Sequence, residues 1–479
     1  MIARQRADAG GTLLRLFAIE ARRTIAPWFA PLLLAFAWLT LSDGLKPQVV
    51  VWFWIGSSVK IAQAVAFIGP CCAGVAAWMA GCEHRQGLDD LLAMTPRPAI
   101  ARTLATWAAT TLWGLLAYAV IAAAIMALTA QRATWGGPEG WPILIGALAI
   151  PAHAALGYAL GRACPGRFTA PLVAIGSFTT QIMLGLVVNN TRPTLYRARF
   201  LSPLAPPETS VWYGLHPVVA PRQGVLLLGL AGCGLAALAL VLSRGRSRRA
   251  AFATLLSLAL VGGGAGATFA ATPQFGTFAT DLSYYAAFET RPYTPVCSAD
   301  PLVVCVHPAY QPLLADLSRR ANDFAAPLLG LPGMPTRAEQ VARDGRAASG
   351  ARTAGAIRFM IFTPTNYFAN DTWVTDNAAR QLANCAIQNC FQYADHVGPA
   401  PPVGLVDDGA RQVIVEWLNA QTRPVPMEQV GVCRPPVRQS AHCQAALRFS
   451  RLGVAEQRAW LTANFAALRE GRVRLADLP

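Results

Sequence analysis

Seven long apolar runs in the first 272 residues constrain the fold of this chain more than any other feature. A helix needs about 20 mostly apolar residues to cross a bilayer, and the runs have about that length. We therefore predict an α-helical polytopic membrane protein. The predicted spans are Ile25–Leu41, Ile61–Gly81, Leu104–Thr129, Trp141–Leu160, Phe168–Val188, Val225–Leu242 and Ala251–Ala271.

A cluster of aromatic residues lies between the first two runs, at Val49–Ser58, where Trp52, Phe53 and Trp54 are adjacent. This stretch and the second run together are too long for one span. Because Trp prefers the headgroup layer, we predict an interfacial segment here.

Charge divides the chain near Thr272. The first 272 residues hold 21 basic and 8 acidic residues, whereas the remaining 207 hold 19 and 17. We predict a cytoplasmic N-terminal segment at 1–24, a transmembrane domain at 25–272 and a C-terminal α+β soluble domain at 273–479. The net charge of +15 does not indicate nucleic acid, because its excess lies in the membrane half.

The basic residues of the short loops predict the orientation. With the N-terminus in the cytoplasm, 14 Lys and Arg residues lie inside and 7 lie outside. Seven spans then place residues 273–479 outside the cytoplasmic membrane. The glycines at Gly262–Gly264 weaken the seventh span, and without it the soluble half lies inside.

Six of the eleven cysteines lie in the soluble half and fall into three close pairs. Disulfides persist outside the cytosol, so these cysteines agree with the predicted orientation. The simplest of fifteen connectivities is the local one, and six unpaired thiols are the alternative. The expected pairs are Cys297–Cys305, Cys385–Cys390 and Cys433–Cys443.

The sequence lacks the common catalytic motifs. A phosphate-binding P-loop needs G-x-x-x-x-G-K-[ST], and neither lysine, Lys46 or Lys60, follows such glycines. H-E-x-x-H and G-x-S-x-G are absent, and no Cys/His cluster has zinc-finger spacing. We therefore expect no enzyme, no metal site and no cofactor in this chain.

A few isolated polar residues could still carry chemistry. His153 and Gln181 lie within predicted spans, where ionisable residues are functional candidates, but pairing with a neighbouring helix is the commoner role. We interpret His307, at the end of an apolar strand, as structural. The candidate carboxylates are Asp316, Asp407 and Asp408, of which the last two also suit a helix N-terminus.

In the soluble half, Tyr293–Val306 is predicted to be extended and to end in a strand, and Ile357–Phe362 is a second strand candidate. Helices are predicted at Pro308–Ala326, Asp376–Cys390, Asp407–Ala420 and Val454–Leu468.

The loop between the second and third spans holds a short amphipathic pattern. We predict a helix over Glu83–Met94, with Leu88, Leu91 and Leu92 on one face because they stand at i, i+3 and i+4. Pro96 and Pro98 end it. A helix of this kind suits a groove on a partner protein, and the alternative is an interfacial helix that only reorients the chain.

This loop, Glu-x-x-x-Gly-Leu-x-x-Leu-Leu-x-x-x-Pro, resembles the first cytoplasmic loop of exporter-type ATP-binding-cassette (ABC) permeases. The resemblance covers about the first 250 residues and includes the short turn at Gly161–Arg167. It implies a coupling helix that rests on a separate ATPase subunit, which would bind the ATP. The residues implied at this contact are Glu83, Arg85, Leu88, Leu91, Leu92 and Pro96.

The sequence therefore predicts the permease subunit of an ABC transporter in the cytoplasmic membrane. Its implied partners are a cytoplasmic ATPase, a second permease chain, identical or different, and the lipid bilayer. A seventh span and about 200 outside residues depart from the six spans common in such permeases. Two alternatives stay open: a membrane-anchored receptor, and an enzyme whose site in the outside domain collects carboxylates, His307 or His396.

Overall fold

The computed structural model describes most of the helical and sheet regions of the chain. The described ranges are 15–25, 52–88, 99–190, 211–215, 219–242, 288–342, 355–361, 371–388, 409–421 and 440–479, with scattered single positions between them.

The chain forms two compact units, one that ends at Glu289 and one that runs from Thr290 to Pro479. The first is mostly helical, with a two-stranded sheet. Its elements are α1 (Trp54–Gln63), α2 (Val65–Arg85), α3 (Ala99–Ala130), α4 (Gly140–Ala163), α5 (Thr169–Asn190), β1 (Tyr213–Leu215), α6 (Val219–Leu242) and β2 (Phe288–Thr290).

Four helices of the described part are long and apolar enough to cross a membrane. They are Trp54–Arg85, which joins α1 and α2, then α3, α4 and Ala220–Leu242 of α6. Helix α5 coincides with the predicted fifth span. The first and seventh predicted spans, Ile25–Leu41 and Ala251–Ala271, lie mainly outside the described residues.

The predicted interfacial segment Val49–Ser58 is helical over residues 54–58. From Trp54 onward the chain is helical and continues into α2 after a turn at Ala64. Ser57 and Ser58 are buried, and both accept hydrogen bonds. Thr129 Oγ1 donates to Ser57 Oγ (2.7 Å), and the Glu139 amide donates to Ser58 Oγ (3.1 Å). The stretch is therefore the first part of one long helix, held by its neighbours.

Helices α2 and α4 pack closely through small residues. A Cβ added at Gly157 would lie 2.1 Å from the carbonyl oxygen of Ala73, and one at Gly161 would lie 2.3 Å from that of Ala77. Small residues four apart let helix backbones approach in a membrane, where water does not drive apolar faces together. We call these four residues the α2–α4 seam.

The contacts between helices also fix their directions. Gly157 faces Ala73 and Gly161 faces Ala77, each 84 positions apart, so α2 and α4 run parallel. On α3, in contrast, Tyr118 donates to the Ile143 carbonyl (2.9 Å) and Trp107 to that of Pro151 (3.3 Å), so α3 runs antiparallel to α4. Successive helices thus alternate in direction, as a chain that recrosses a membrane requires.

The second unit is built around a mixed sheet in the order β3–β4–β5–β6. Strand β3 pairs antiparallel with β4, and β4, β5 and β6 pair in parallel. The strands are β3 (Val296–Cys297), β4 (Val303–Val306), β5 (Arg337–Gln340) and β6 (Ile357–Phe359). Helix α7 (Gln311–Ala325) connects β4 to β5, because parallel neighbours need a crossover.

Four further helices follow in the second unit: α8 (Asp371–Gln388), α9 (Gly409–Gln421), α10 (Ala441–Arg451) and α11 (Val454–Arg469). Short 3₁₀ turns lie at Pro308–Tyr310 and Leu475–Asp477. Helix α8 packs on α7 and β6, and α9 packs on α10. The ring of Phe449 on α10 lies edge-on to the rings of Trp417 on α9 and Trp460 on α11, with ring centres 5.2 Å and 5.5 Å away. Phe449 therefore joins the two tryptophan-bearing helices in one core.

The three cysteine pairs are joined as their spacing led us to expect. Cys297 and Cys305 stand opposite each other on β3 and β4. Cys385–Cys390 closes the end of α8, and Cys433–Cys443 ties the chain to α10. The candidate spans and these disulfides are together consistent with a membrane protein that bears an extracytoplasmic domain.

Two elements of this unit were not predicted. Helix α10 has a serine N-cap, with Ser440 Oγ accepting from the Cys443 amide (3.2 Å). Strand β5 is short and polar, yet Ala338 and Gln340 point inward. The local pattern of β5 resembles a loop, and its pairing with β4 and β6 makes it a strand.

We expect Gly157→Ala to disrupt the α2–α4 seam, because the new methyl group would overlap the Ala73 backbone. The free energy of unfolding should fall by about 2 kcal/mol or more, measured in detergent by denaturant titration of the full chain. The matched control is Gly176→Ala on α5, where nothing lies within 4 Å of the added Cβ. Because alanine has a better helix propensity than glycine, the free energy of unfolding of Gly176→Ala should be unchanged or slightly higher. An equal fall in the free energy of unfolding of the two variants would contradict the proposed close packing at the α2–α4 seam.

Candidate functional site in the helical bundle

Glu83 and Arg85 lie in the last turn of α2, not at the start of a separate helix. The helix ends there, because Gln86 and Gly87 form a turn in which Gly87 has a φ of +66°. Leu88 follows as the last residue before a gap in the description. The predicted helix therefore does not begin at Glu83, and Leu91, Leu92 and Pro96 lie outside the described residues.

Charged and hydroxyl side chains gather where α2 and α4 end and α3 begins, and we call this the Arg85 end of the bundle. Arg162 Nη1 lies 3.8 Å from Glu83 Oε2, which links the ends of α4 and α2. On α3, Thr106 Oγ1 donates to Glu20 Oε2 (3.4 Å). The buried Tyr158 lies between these groups, hydrogen-bonded with Thr106 and close to both carboxylates. The end of α2 is thus tied to α4 by an ion pair.

Arg85 folds back along its own helix. Its Nη2 donates to the carbonyl oxygen of Trp78 (2.7 Å), and its guanidinium lies 4.2 Å from the centre of the Trp78 ring. Planar stacking of this kind suits arginine better than lysine. Arg85 therefore stabilises the end of α2, where the predicted docking segment, Glu83–Met94, begins.

A second polar contact lies half-way along the helices. His153 on α4 is 13 residues from Gly140 and 10 from Ala163. Its Nδ1 lies 2.7 Å from the Ala149 carbonyl oxygen, and its Nε2 lies 2.6 Å from Nε2 of Gln181 on α5. We call these two side chains the His153–Gln181 pair. The sequence singled out both residues as polar positions within predicted spans but did not predict that they contact each other.

With the Gln181 amide oriented as in this structure, the hydrogen bonds indicate the protonation of the pair. A carbonyl oxygen only accepts, so Nδ1 of His153 carries the proton and donates to Ala149. The side-chain nitrogen of Gln181 only donates, so Nε2 of the imidazole accepts from it. The arrangement therefore describes a neutral imidazole. Oε1 of Gln181 is buried, without a hydrogen-bond partner in the described part of the chain, which costs about 1–3 kcal/mol.

Apolar and small residues surround this pair. Gly69 of α2 lies beneath the imidazole, since a Cβ there would come within 3.1 Å of three ring atoms. Phe67 of α2 and Phe178 of α5 make a tilted ring contact, with ring centres 5.9 Å apart. A larger side chain at position 69 would push the ring away from Gln181.

In the second unit, Asp316 is held in a network of ion pairs. It accepts hydrogen bonds from Arg320 Nε (2.8 Å), from Arg319 and from Thr375 of α8. Burial alone would raise the pKa of Asp316, but the hydrogen bonds from Thr375 and Arg320 outweigh it, and the pKa is lowered. The carboxylate thus stabilises the contact between α7 and α8. Asp407 and Asp408 lie outside the described residues.

His307 has a structural role. It is fully buried, its Nδ1 accepts from the Ala309 amide (3.1 Å), and its own amide donates to Gln340 Oε1 (2.9 Å). Burial, together with the positive charge of Arg291, lowers the pKa of His307 from its usual 6.5 to about 4. His307 therefore caps the turn at Pro308–Tyr310 as a neutral side chain. His396 lies outside the described residues.

Within the described residues, no group of three or more His, Cys, Asp or Glu side chains could hold a metal ion. Comparison of the chain with protein-family models, with curated proteins and with solved structures finds no match in any of the three. In the part that the structure describes, the chain is a mostly helical protein with four candidate membrane helices and a C-terminal α+β region.

Sequence reasoning missed how the residues of the Arg85 end combine. Arg162 was counted only as a loop charge, and Thr106 and Tyr158 were not singled out. The available signal is a hydroxyl or charged residue at the last turn of several apolar runs that end on the same side. Such positions converge in space when successive helices alternate in direction.

We expect acidification to destabilise the second unit through His307. The pKa of His307 is lower in the folded state, so the unfolded chain binds a proton at this residue at a higher pH than the folded chain does. The contribution of neutral His307 to the free energy of unfolding is therefore fully present above pH 6.5 and is lost as the pH falls towards 4. Between pH 7 and pH 5 the loss should be about 2 kcal/mol. Pulse proteolysis of the full chain in urea, followed through a C-terminal tag, measures it.

The variant His307→Asn keeps a side-chain acceptor for the cap but does not titrate, so it should lack this part of the pH dependence. His442→Asn, a change at a less buried histidine on α10, should behave like the unmodified protein. An undiminished pH dependence in His307→Asn would show that another group is responsible.

Proposed function

We propose that this chain is the permease subunit of an ABC transporter, which moves a substrate across the cytoplasmic membrane with energy from a separate ATPase subunit. A second permease chain, identical or different, would complete the path. The ATPase would bind the segment that follows α2 at its cytoplasmic end. The chain itself would bind no ATP.

The observation that carries this proposal is the way the docking segment leaves the bundle. The Gly-Leu-x-x-Leu-Leu sequence begins at Gly87, two residues after the last residue of α2, and the last turn of α2 is tied to α4 through Glu83 and Arg162. A partly exposed ion pair of this length contributes little to the free energy of unfolding. Its proposed role is to hold the end of α2 in position beside α4. It connects the predicted ATPase contact to two membrane helices.

The α2–α4 seam supports the mechanical part of the proposal. Two helices whose backbones touch at Gly157 and Gly161 must move together, because any gap would lose close contacts over several turns. A displacement of the docking segment would therefore reach both helices at once. Closure of the ATPase on nucleotide would tilt this pair and change the opening of the path.

We expect Leu88→Asp and Leu91→Asp to abolish co-purification with the ATPase, because each places a charge on the apolar face of the docking segment. The variants should still insert into the membrane. The measurement is recovery of the ATPase with the tagged full-length chain, normalised to the amount of inserted protein. A P-loop ATPase encoded by a neighbouring gene is the partner to express with it.

The matched control is Val454→Asp, which makes the same apolar-to-charged change at an 83% exposed residue of α11. It should leave co-purification intact. If both leucine variants retain the ATPase, the docking segment is elsewhere and the proposed contact is wrong.

We also expect the C-terminal unit to lie outside the cytoplasm. A reporter that is active only in an oxidising compartment should be active when fused after Pro479 and inactive when inserted at Met94, in the proposed docking segment. Activity at Met94, or its absence after Pro479, would reverse the orientation. The disulfides of the C-terminal unit support this orientation, because disulfides persist outside the cytosol.

A further inference from the structure

The His153–Gln181 pair has a property that a simple interhelical hydrogen bond does not need. Among all seven predicted spans, His153 is the only residue of the types His, Asp, Glu, Lys and Arg. It lies half-way along α4, and Gln181 lies near the middle of α5. An ionisable side chain at this depth is costly to keep and is a functional candidate by default.

The geometry around His153 serves two protonation states. In the neutral state Nδ1–H donates to the Ala149 carbonyl, and Nε2 accepts from the Gln181 amide. A half-turn of the Gln181 amide about its terminal torsion exchanges its nitrogen and oxygen. Oε1, which has no partner in the described part of the chain, would then face Nε2 and could accept a hydrogen bond from Nε2–H of a protonated His153. Both N–H groups of an imidazolium would thus be hydrogen-bonded.

We propose that the His153–Gln181 pair is a proton-binding site at mid-depth in the helical bundle. The proton adds to Nε2 of His153, Nδ1 keeps its own proton and its bond to Ala149, and the Gln181 amide rotates so that Oε1 accepts from Nε2–H. The site is 93% buried at Gln181, so the amide takes the place that water holds around a free imidazolium. The proposal does not depend on the ATPase partner.

The other titratable groups of the packed helices are uncharged thiols or lie away from this level. Helix α5 has none. Level with His153, α2 carries Cys71 and Cys72 and α6 carries Cys233. Lys60 and Glu83 stand 9 and 14 residues from Gly69 along the chain, about 14 and 21 Å away in a helix. The charged groups of the packed helices stand at the helix ends: Arg102 on α3, Arg162 on α4 and Arg222 on α6, with His84 and Arg85 in the last turn of α2. The remaining titratable groups are the phenols Tyr118 on α3 and Tyr158 on α4 and the thiol Cys82 on α2.

No acidic residue of the described helices therefore compensates a proton on His153 at close range. The Ala149 carbonyl and the Gln181 oxygen are its two acceptors, and both are dipoles that the packing of α4 and α5 holds in place. Binding of the proton changes the α4–α5 contact from N–H···N to N–H···O without moving either backbone. The contact between these two helices would thus report whether the site is occupied.

The test is nitrogen-15 nuclear magnetic resonance of the full-length chain in lipid nanodiscs, with its histidines labelled. The His153 signals are identified by their absence in His153→Asn. We expect His153 to carry its proton on Nδ1 at high pH and on both nitrogens at low pH, within the range from pH 4 to pH 9. A His153 that stays singly protonated throughout this range, or that carries its proton on Nε2 at high pH, would overturn the proposal.

Two variants that should change the doubly protonated fraction of His153 in opposite directions test the role of Gln181. Gln181→Met keeps the size but removes the acceptor, so the doubly protonated fraction at the wild-type midpoint should fall at least fivefold. Gln181→Glu supplies an anionic acceptor and should increase that fraction at the same pH. The glutamate variant keeps the test valid if the methionine variant does not fold.

The control is Gln63→Met on α1, an exposed glutamine outside the pair, which should leave the fraction unchanged within error. If His153 titrates in Gln181→Met and in Gln181→Glu as it does in the unmodified chain, Gln181 is not the acceptor and the proposed site is wrong.

Discussion

The contact of α2 with α4 through small residues is the constraint on which the rest of the bundle depends. Gly157 and Gly161 touch the backbone at Ala73 and Ala77, and a side chain at either glycine would separate the helices. In lipid, helices associate through close packing and hydrogen bonds, so loss of this fit has no hydrophobic compensation. The same parallel arrangement brings Glu83 near Arg162 at one end and places Gly69 beneath His153 in the middle.

Depth decides what kind of polar contact each part of the bundle can hold. At the Arg85 end, charged groups such as Glu83 and Arg162 can form ion pairs and still reach water. Half-way along the helices a charge is expensive, and the polar groups there form the neutral His153–Gln181 pair. The small Gly69 leaves room for the imidazole against α2.

Local patterns predicted much of the fold because they reflect local physics. Apolar runs predicted the long helices, including α3 and α4, within a few residues, since length and hydropathy decide whether a helix can cross a bilayer. Close cysteine pairs predicted the disulfides, because short loops bring the thiols together. Local pattern was insufficient where neighbouring elements decide the structure. Trp54–Ser58 is the first part of a long helix in which Ser57 and Ser58 hydrogen-bond to neighbouring elements, and the polar β5 is a strand because β4 and β6 pair with it.

The apolar runs alone predict that the first half of the chain is helical, that its charges lie near the helix ends, and that His153 and Gln181 lie within spans. The sequence also marked Glu83, Arg85 and Leu88 as the start of a docking segment. Only the tertiary structure decided that His153 bonds to Gln181, that Arg162 stands by Glu83, and that Glu83 belongs to α2. The physical reason is that these contacts join residues 28 or 79 positions apart. They depend on how closely the helix backbones approach, which the small residues of the α2–α4 seam decide and no local pattern records.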